Sequence, residues 1–200
     1  MPKDTGRNDR RSRIAYLAAR LMAEDGIEDY ALAKRKAARQ AGEPDTRELP
    51  ANEEIDEALR TYQQIYRPEE HLNRLRALRE TAARAMRELA RFNPHLTGSV
   101  LNGNAGKYAD INLQLFTDNE KAVELYLIDQ GSPYRTTQSR LYFAEGMRTV
   151  PVYTVSDHGI DIELTVLSTF DLRGPLRASP DGRRIERAKL QAVEQLLAES

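Results

Sequence analysis

The apolar residues of this chain keep one period as far as Asn93-Pro94 and a different one after it, and that single switch limits the folds open to it. Before the switch they recur at three- and four-residue spacing, as on one face of a helix. After it they alternate, as on a strand with one buried side. The chain therefore has to place helices first and a sheet second. The expected class is α+β: a helical N-terminal region over residues 1–66, then an α+β domain over 67–200 built on a small mixed sheet of about five strands with flanking helices.

Residues 1–12 are polar and Arg-rich, without apolar periodicity, and read as an unstructured lead. Ile14, Leu17, Ala18, Leu21 and Met22 then form one stripe, stopped by Gly26. A second helix is expected from about Asp29 to Gly42. A third carries Ile55, Ala58, Leu59, Tyr62, Ile65 and Tyr66 behind Asn52 as N-cap. Pro68, Glu69 and Glu70 open the longest helix, with the seam Leu72, Leu75, Leu78, Ala82, Met86 and Leu89. Its other faces carry Arg74, Arg76, Arg79, Arg84, Arg87 and Arg91, interleaved with Glu80 and Glu88, the pattern of a solvated face rather than a nucleic-acid patch.

Past Pro94, Leu96–Leu101 and Ala109–Phe116 read as strands, and Thr117-Asp-Asn-Glu120 as a capping box ahead of a helix broken by Gly131-Ser-Pro. Strands follow at about Gln138–Ala144, Val150–Val155 and Ile160–Leu167, the last two joined by a turn at Ser156-Asp-His-Gly159. Ser179-Pro180-Asp181 is expected to start a terminal helix with Ile185, Ala188, Ala192, Val193 and Leu196 inward.

With 200 residues the chain can bury roughly 70% of its unfolded surface. Its net charge of −1 selects neither nucleic acid nor membrane. The charges are segregated, however. Residues 67–107 hold eight Lys/Arg against four Asp/Glu, and residues 109–171 hold four against ten. The absence of cysteine excludes disulfides, thiolate metal sites and a cysteine nucleophile. An opening without an apolar core and no run approaching 18 apolar residues lead to the expectation of a cytoplasmic protein with no membrane partner.

The stretch from Gly98 to Leu113 is where the sequence points to chemistry: a Gly-Ser pair, a glycine-rich loop, then a strand with Asp110 and Asn112 on one face. A Walker A loop does not fit. That motif needs glycine at Leu101 and a hydroxyl at Tyr108, and it opens a helix, where this loop opens a strand.

Gly98, Ser99, Gly103, Ala109, Asp110, Ile111 and Leu113 match in type and spacing the pattern GSxxxGxxxxx[SA]D[IV]DL, and so this region, roughly residues 67–168, resembles the minimal nucleotidyltransferases of the polymerase-beta-like superfamily. The resemblance implies metal-assisted transfer from a nucleoside triphosphate to an acceptor that the sequence does not identify. In such a site carboxylates hold Mg²⁺ ions about 3.5–4 Å apart. It implies Gly98, Ser99 and Gly103 close to the triphosphate, with Lys107 in the same loop. Asp110 would be the first carboxylate, Asn112 would stand where the second is expected, and a later strand would supply the third. Glu163 is the candidate for that position and Asp161 the next, both on the polar face of Ile160–Leu167. They could equally be the solvent side of an amphipathic edge strand. Asp110 and Glu163 are thus the candidate catalytic residues, and Asp110, Asn112, Asp161 and Glu163 the candidate Mg²⁺ ligands.

Asn112 departs from the pattern. An amide oxygen can ligate a metal but brings no charge, which weakens attraction for a second cation. One reading is a single well-held metal with Glu163 assisting. The other is a nucleotidyltransferase fold that interacts or regulates without turnover. His71, His95 and His158 lack the spacing of a zinc site. Ser99 lacks the frame of an acyl-transfer nucleophile. Arg135, Arg140 and Arg148 could neutralise a triphosphate or simply be strand-surface charges. The first two helices resemble the opening of tetracycline-repressor-type regulators, but their connection is too short and no third helix enters at the right distance, so DNA binding is not favoured.

Overall fold

A computed structural model describes residues 5–27, 29–44, 49–66, 68–119, 121–177 and 184–199 of the chain. The fold is α+β, with seven α-helices and one five-stranded mixed sheet among the described residues. Two compact units divide it. The helical unit takes residues 1–74 together with 103–109, and the sheet unit takes 75–102 and 110–200. Residues 103–109 of the glycine-rich loop belong with the helices.

In the helical unit, α1 spans Thr5–Asp25, α2 Tyr30–Gln40 and α3 Asn52–Tyr66, and α4 starts at Pro68. The first helix begins at Thr5, so residues 5–12 of the Arg-rich lead are helical. Arg11 shows one reason, because its guanidinium donates to both Glu54 carboxylate oxygens at 2.6–2.8 Å. The core joins Ile14, Leu21, Met22, Ile55 and Leu59 to buried alanines of α1 and α2, small side chains that let backbones approach. Asp29 caps α2 by accepting from the Leu32 N–H at 2.8 Å. Asn52 lies inside α3 rather than capping it. The preceding Ala51 N–H is taken by Glu54 at 2.6 Å, the reaching-back half of a capping box.

Residues 103–109 are tied to these helices. His71 Nε2 donates to the Gly103 carbonyl at 3.0 Å, and Asn104 donates to Asp56 at 2.9 Å. Asp56 also accepts from the Tyr30 hydroxyl. Tyr108 lies against Gly26, where a Cβ would come within 2.4 Å of its ring, and Gly26 has φ +68, so only glycine suits that helix end.

The sheet unit holds the rest of α4, which ends at Glu88, followed by a 3-10 turn at Ala90–Phe92. Leu75, Leu78, Ala82, Met86 and Leu89 are buried as the seam requires, but Leu72 is 57% exposed. Strand β1 is His95–Thr97 and gives way at Gly98 to the short helix α5, Gly98–Asn102, so the strand expected to reach Leu101 stops early. Then come β2 (Ile111–Phe116), α6 (Lys121–Asp129), β3 (Tyr134–Phe143), β4 (Gly146–Asp157), β5 (Ile160–Leu167) and α7 (Leu190–Ala198). Glu120 of the expected capping box lies outside the described residues. Its neighbour Asn119 accepts from the Lys121 N–H at 3.1 Å. The β4–β5 turn has φ +50 at His158 and +82 at Gly159, the two positive angles of a type I′ hairpin.

Strand order is β1-β2-β5-β4-β3, with β2 and β5 parallel and the other pairs antiparallel. Ile111, Leu113, Leu115, Ile162, Leu164 and Val166 share one buried face. At the far end of the other face, Phe116, Leu141, Val150 and Leu167 pack with Leu176. Residues Ser179–Asp181, expected to start the last helix, lie outside the described residues, and α7 itself begins ten residues after Pro180. Ala188 is extended and exchanges two hydrogen bonds of 2.8–2.9 Å with Leu96, while Arg177 does the same with Tyr142 at 3.0 Å. The segment thus covers the outer edges of β1 and β3, which would otherwise present unpaired backbone groups.

Candidate functional site

Strand register assembles a polar row across one face of the sheet. Thr97 pairs with Asn112, Asn112 with Glu163, Glu163 with Thr154, and Thr154 with Arg135. Paired residues project to the same side, so these five side chains share the face opposite Leu113 and Leu164. Two residues further back along β5 is Asp161, paired with Ser156. Asp110 directly precedes β2. Strand β5 is central, flanked by β2 and β4, so Glu163 and Asp161 are not the solvent side of an edge strand.

The electrostatics confirm that the carboxylates lie near one another. Burial raises the Asp110 carboxyl above its ordinary value, and the charge of Asp161 raises it further. Glu163 is pushed up by burial first, then by Asp110 and Asp161. Arg135 opposes both shifts and forms an ion pair with Asp161 at 2.5 Å. Three carboxylates thus repel one another beside one arginine, which is a demand for positive charge.

The Gly98 turn stands against Asn112. Gly98 has φ +75, and a Cβ there would lie 3.5–3.8 Å from the Asn112 side chain. The Thr97 hydroxyl donates to the Asn112 carbonyl at 3.3 Å. Arg79 holds the helix that follows. Its Nε donates to the Val100 carbonyl at 3.2 Å and its Nη2 to that of Leu101 at 3.3 Å, so it satisfies the C-terminal carbonyls of α5. Arg79 is only 7% exposed, and burial lowers its pKa. Residue 79 was expected on the solvated arginine face, and the structure corrects this: at helical spacing from Leu75 and Ala82 it lies on the buried stripe.

The structure therefore brings Gly98, Asn112, Asp110, Asp161 and Glu163 together in the sheet unit, with Ser99 at the start of α5. Gly103 and Lys107 belong to the helical unit. The row also contains Thr97 and Thr154, which sequence reading did not single out. Period-two alternation marks their faces, but only the strand order reveals them as neighbours.

Among the described residues no group of three or more His, Cys, Asp or Glu side chains is disposed to hold a metal ion. A ready three-carboxylate cage does not fit, because Asp161 is engaged by Arg135. The oxygen donors of Asp110, Asn112 and Glu163 do fit the more usual mode of Mg²⁺, in which one or two carboxylates share the ion with water and substrate phosphates.

The arginines of α4 have partners of their own. Arg76 pairs with Glu80 at 3.2 Å, Arg84 with Asp157 at 2.8 Å and Arg87 with Glu194 at 2.6 Å; Arg91, in the 3-10 turn beyond α4 rather than in the helix, lies over the rings of Phe92 and Tyr126. Such pairing gives this face a structural use without a nucleic acid. No helix among the described residues is long and apolar enough to cross a membrane. No family model matches the sequence, and comparison with curated proteins and with solved structures returns no similar chain.

Proposed function

We propose that the sheet unit is nucleotidyltransferase-like and binds a nucleoside triphosphate together with Mg²⁺. The observation that carries this reading is the row in which Asn112 and Glu163, on parallel neighbouring strands, adjoin Asp110 and the Gly98 turn. Asp110 and the Asn112 amide oxygen would hold the cation, and Glu163 lies one strand over. The cation would supply positive charge to the triphosphate oxygens. Gly98, free of a Cβ, and the backbone of Ser99 would lie along the phosphates.

In the transfer step an acceptor hydroxyl attacks the α-phosphorus. A new phosphorus–oxygen bond forms, the bond to the β-phosphate breaks, and pyrophosphate leaves. The acceptor's proton goes to Glu163. Asn112 in place of a carboxylate favours a second reading, in which the same site binds nucleotide without turnover.

Two measurements separate these readings. Calorimetry with each of the four nucleoside triphosphates, with and without Mg²⁺, should show metal-dependent binding lost in Asp110→Ala. Pyrophosphate release in the presence of hydroxyl acceptors then distinguishes transfer from binding alone. Absence of Mg²⁺-dependent binding for every triphosphate would refute both.

A further inference from the structure

We propose that the outer face of the β3–β4 ribbon binds single-stranded nucleic acid. Strand register pairs Gln138 with Pro151, Arg140 with Thr149 and Tyr142 with Met147, all on the face of the sheet opposite the carboxylate row. Beyond the buried Tyr153 this face is bare. Thr136, Gln138, Arg140 and Thr149 are exposed, Met147 is 51% exposed, and Tyr142 lies half-buried among them. The segment on the edge of β3 widens the surface. Arg177 exchanges two backbone hydrogen bonds with Tyr142, and Arg184 bridges to Arg177 in turn. Leu176 and Ile185 pack into the core with Leu141, so their neighbours Arg177 and Arg184 take the other side, the side of Tyr142.

The charges on this surface are uncompensated. Arg177 and Arg184 stand directly opposite each other, and like charges in that arrangement destabilise a strand pair. Arg140, two residues from Tyr142 on β3, is diagonal to Arg177, a separation of about 7–8 Å. All three arginines are exposed, and none has a carboxylate within ion-pair distance among the described residues. Glu145 and Glu186, the acids adjoining them in sequence, pair with none of the three. The arginines of α4 differ in this respect, since Arg76, Arg84 and Arg87 each have a carboxylate. Three unpaired cations on one surface attract an anion.

The layout selects the kind of anion. Cations set side by side across three extended segments suit a chain of phosphates better than one small anion. Guanidinium forks match phosphate oxygens and also stack on bases. Tyr142 and Met147 between them offer apolar contact to bases that are not already stacked. A flat strand face has no element to enter a groove, so it meets a duplex at its phosphates alone, whereas a single strand offers bases as well. An anionic membrane surface is a poorer match, because it needs a broad apolar face to bury and only Tyr142 and Met147 supply one here. Sequence did not reveal this surface, since its three arginines are dispersed between residues 140 and 184.

This inference is independent of the carboxylate site, and its test runs in EDTA so that metal-dependent binding is silent. Fluorescence anisotropy of a labelled twelve-nucleotide single-stranded RNA should show binding whose log–log dependence on salt has a slope of about −2, the value for three phosphate contacts. Arg140→Gln, Arg177→Gln and Arg184→Gln should each weaken binding and flatten that slope by about 0.7. Tyr142→Leu should weaken binding about fivefold or more at unchanged slope, because a stack is lost and no charge. Arg76→Gln, on α4, should change neither quantity. The three arginines are exposed, so their replacement leaves the fold intact, and circular dichroism of every variant checks this. No binding at 50 mM salt, a slope indifferent to all three arginine substitutions, or Tyr142→Leu without effect would each overturn the proposal. So would binding of the duplex as tight as that of the single strand, or tighter binding to phosphatidylserine vesicles than to the oligonucleotide.

Discussion

At Asp110 and Glu163 the fold holds two carboxyls above their ordinary pKa, and this has a direct consequence for stability. A carboxyl raised in the folded state favours folding while it is protonated, and that contribution is lost as pH climbs from the usual carboxylate range, about pH 4, through the raised value. Asp110→Asn and Glu163→Gln remove the loss, so each should be more stable than the parent at pH 7 and should show a flatter decline above about pH 4. Solvent screening of these half-exposed groups keeps each gain below about 1 kcal/mol. Chemical denaturation at pH 4 and pH 7 reads the effect, and a variant less stable than the parent at pH 7 would contradict it. Asn112→Asp should act oppositely. A carboxylate directly across from Glu163 puts like charges opposite each other, lowering stability without metal and tightening Mn²⁺ binding about tenfold, as one added anion implies. Melting with and without Mn²⁺ tests both halves.

The elements that were legible from sequence are those whose signals are local. The stripes of α1, α3 and α4 and the alternation of β5 need only neighbours in the chain, and β5 runs from Ile160 to Leu167 as its pattern indicates. Elements shaped by distant partners were not legible. Ile185 and Ala188 have helical spacing, yet two reciprocal hydrogen bonds between Ala188 and Leu96 hold Ala188 extended, a tertiary contact that overrides the period. The start of β3, Tyr134 to Thr137, lies ahead of the strand expected from about Gln138, and its burial shows no alternation to mark it as a strand. Strand β1 ends at Thr97 because Gly98 turns into α5, whose carbonyls are held by Arg79 from a separate helix. Arg79→Met leaves two carbonyls without that partner and should cost about 1–3 kcal/mol in urea unfolding. Gly98→Ala, forced to φ +75, should cost about 1–2 kcal/mol. Loss of nucleotide binding in either variant, with the fold retained, would link α5 to the site.

For the molecule as a whole, the switch at Asn93-Pro94 was sufficient for the α+β class, because a change of period cannot be accommodated within one kind of element. The partition into units was harder to read. The motif from Gly98 to Leu113 is continuous in sequence, but residues 103–109 pack among the helices while its two ends belong to the sheet. The resemblance of the Gly98–Leu113 stretch pointed to Asp110 and Asn112, and the polar face of β5 made Glu163 a candidate. Their meeting on one face depends on β2 and β5 being parallel neighbours, a long-range pairing with no local signature. The acidic character of residues 109–171 has a focus in this row, where Arg135 opposes the charge around Asp110 and Glu163 and pairs with Asp161.

The proposal that this row receives a metal-bound triphosphate is tested by thermal unfolding of the whole chain with each nucleoside triphosphate, with and without Mg²⁺. Selective binding to the folded state raises stability by about 2.7 kcal/mol at one hundred times Kd. A triphosphate held at this row gives a rise that needs both Mg²⁺ and nucleotide and disappears in Asp110→Ala. A rise that is independent of Mg²⁺ or retained in Asp110→Ala, or no rise with any of the four triphosphates, would contradict it.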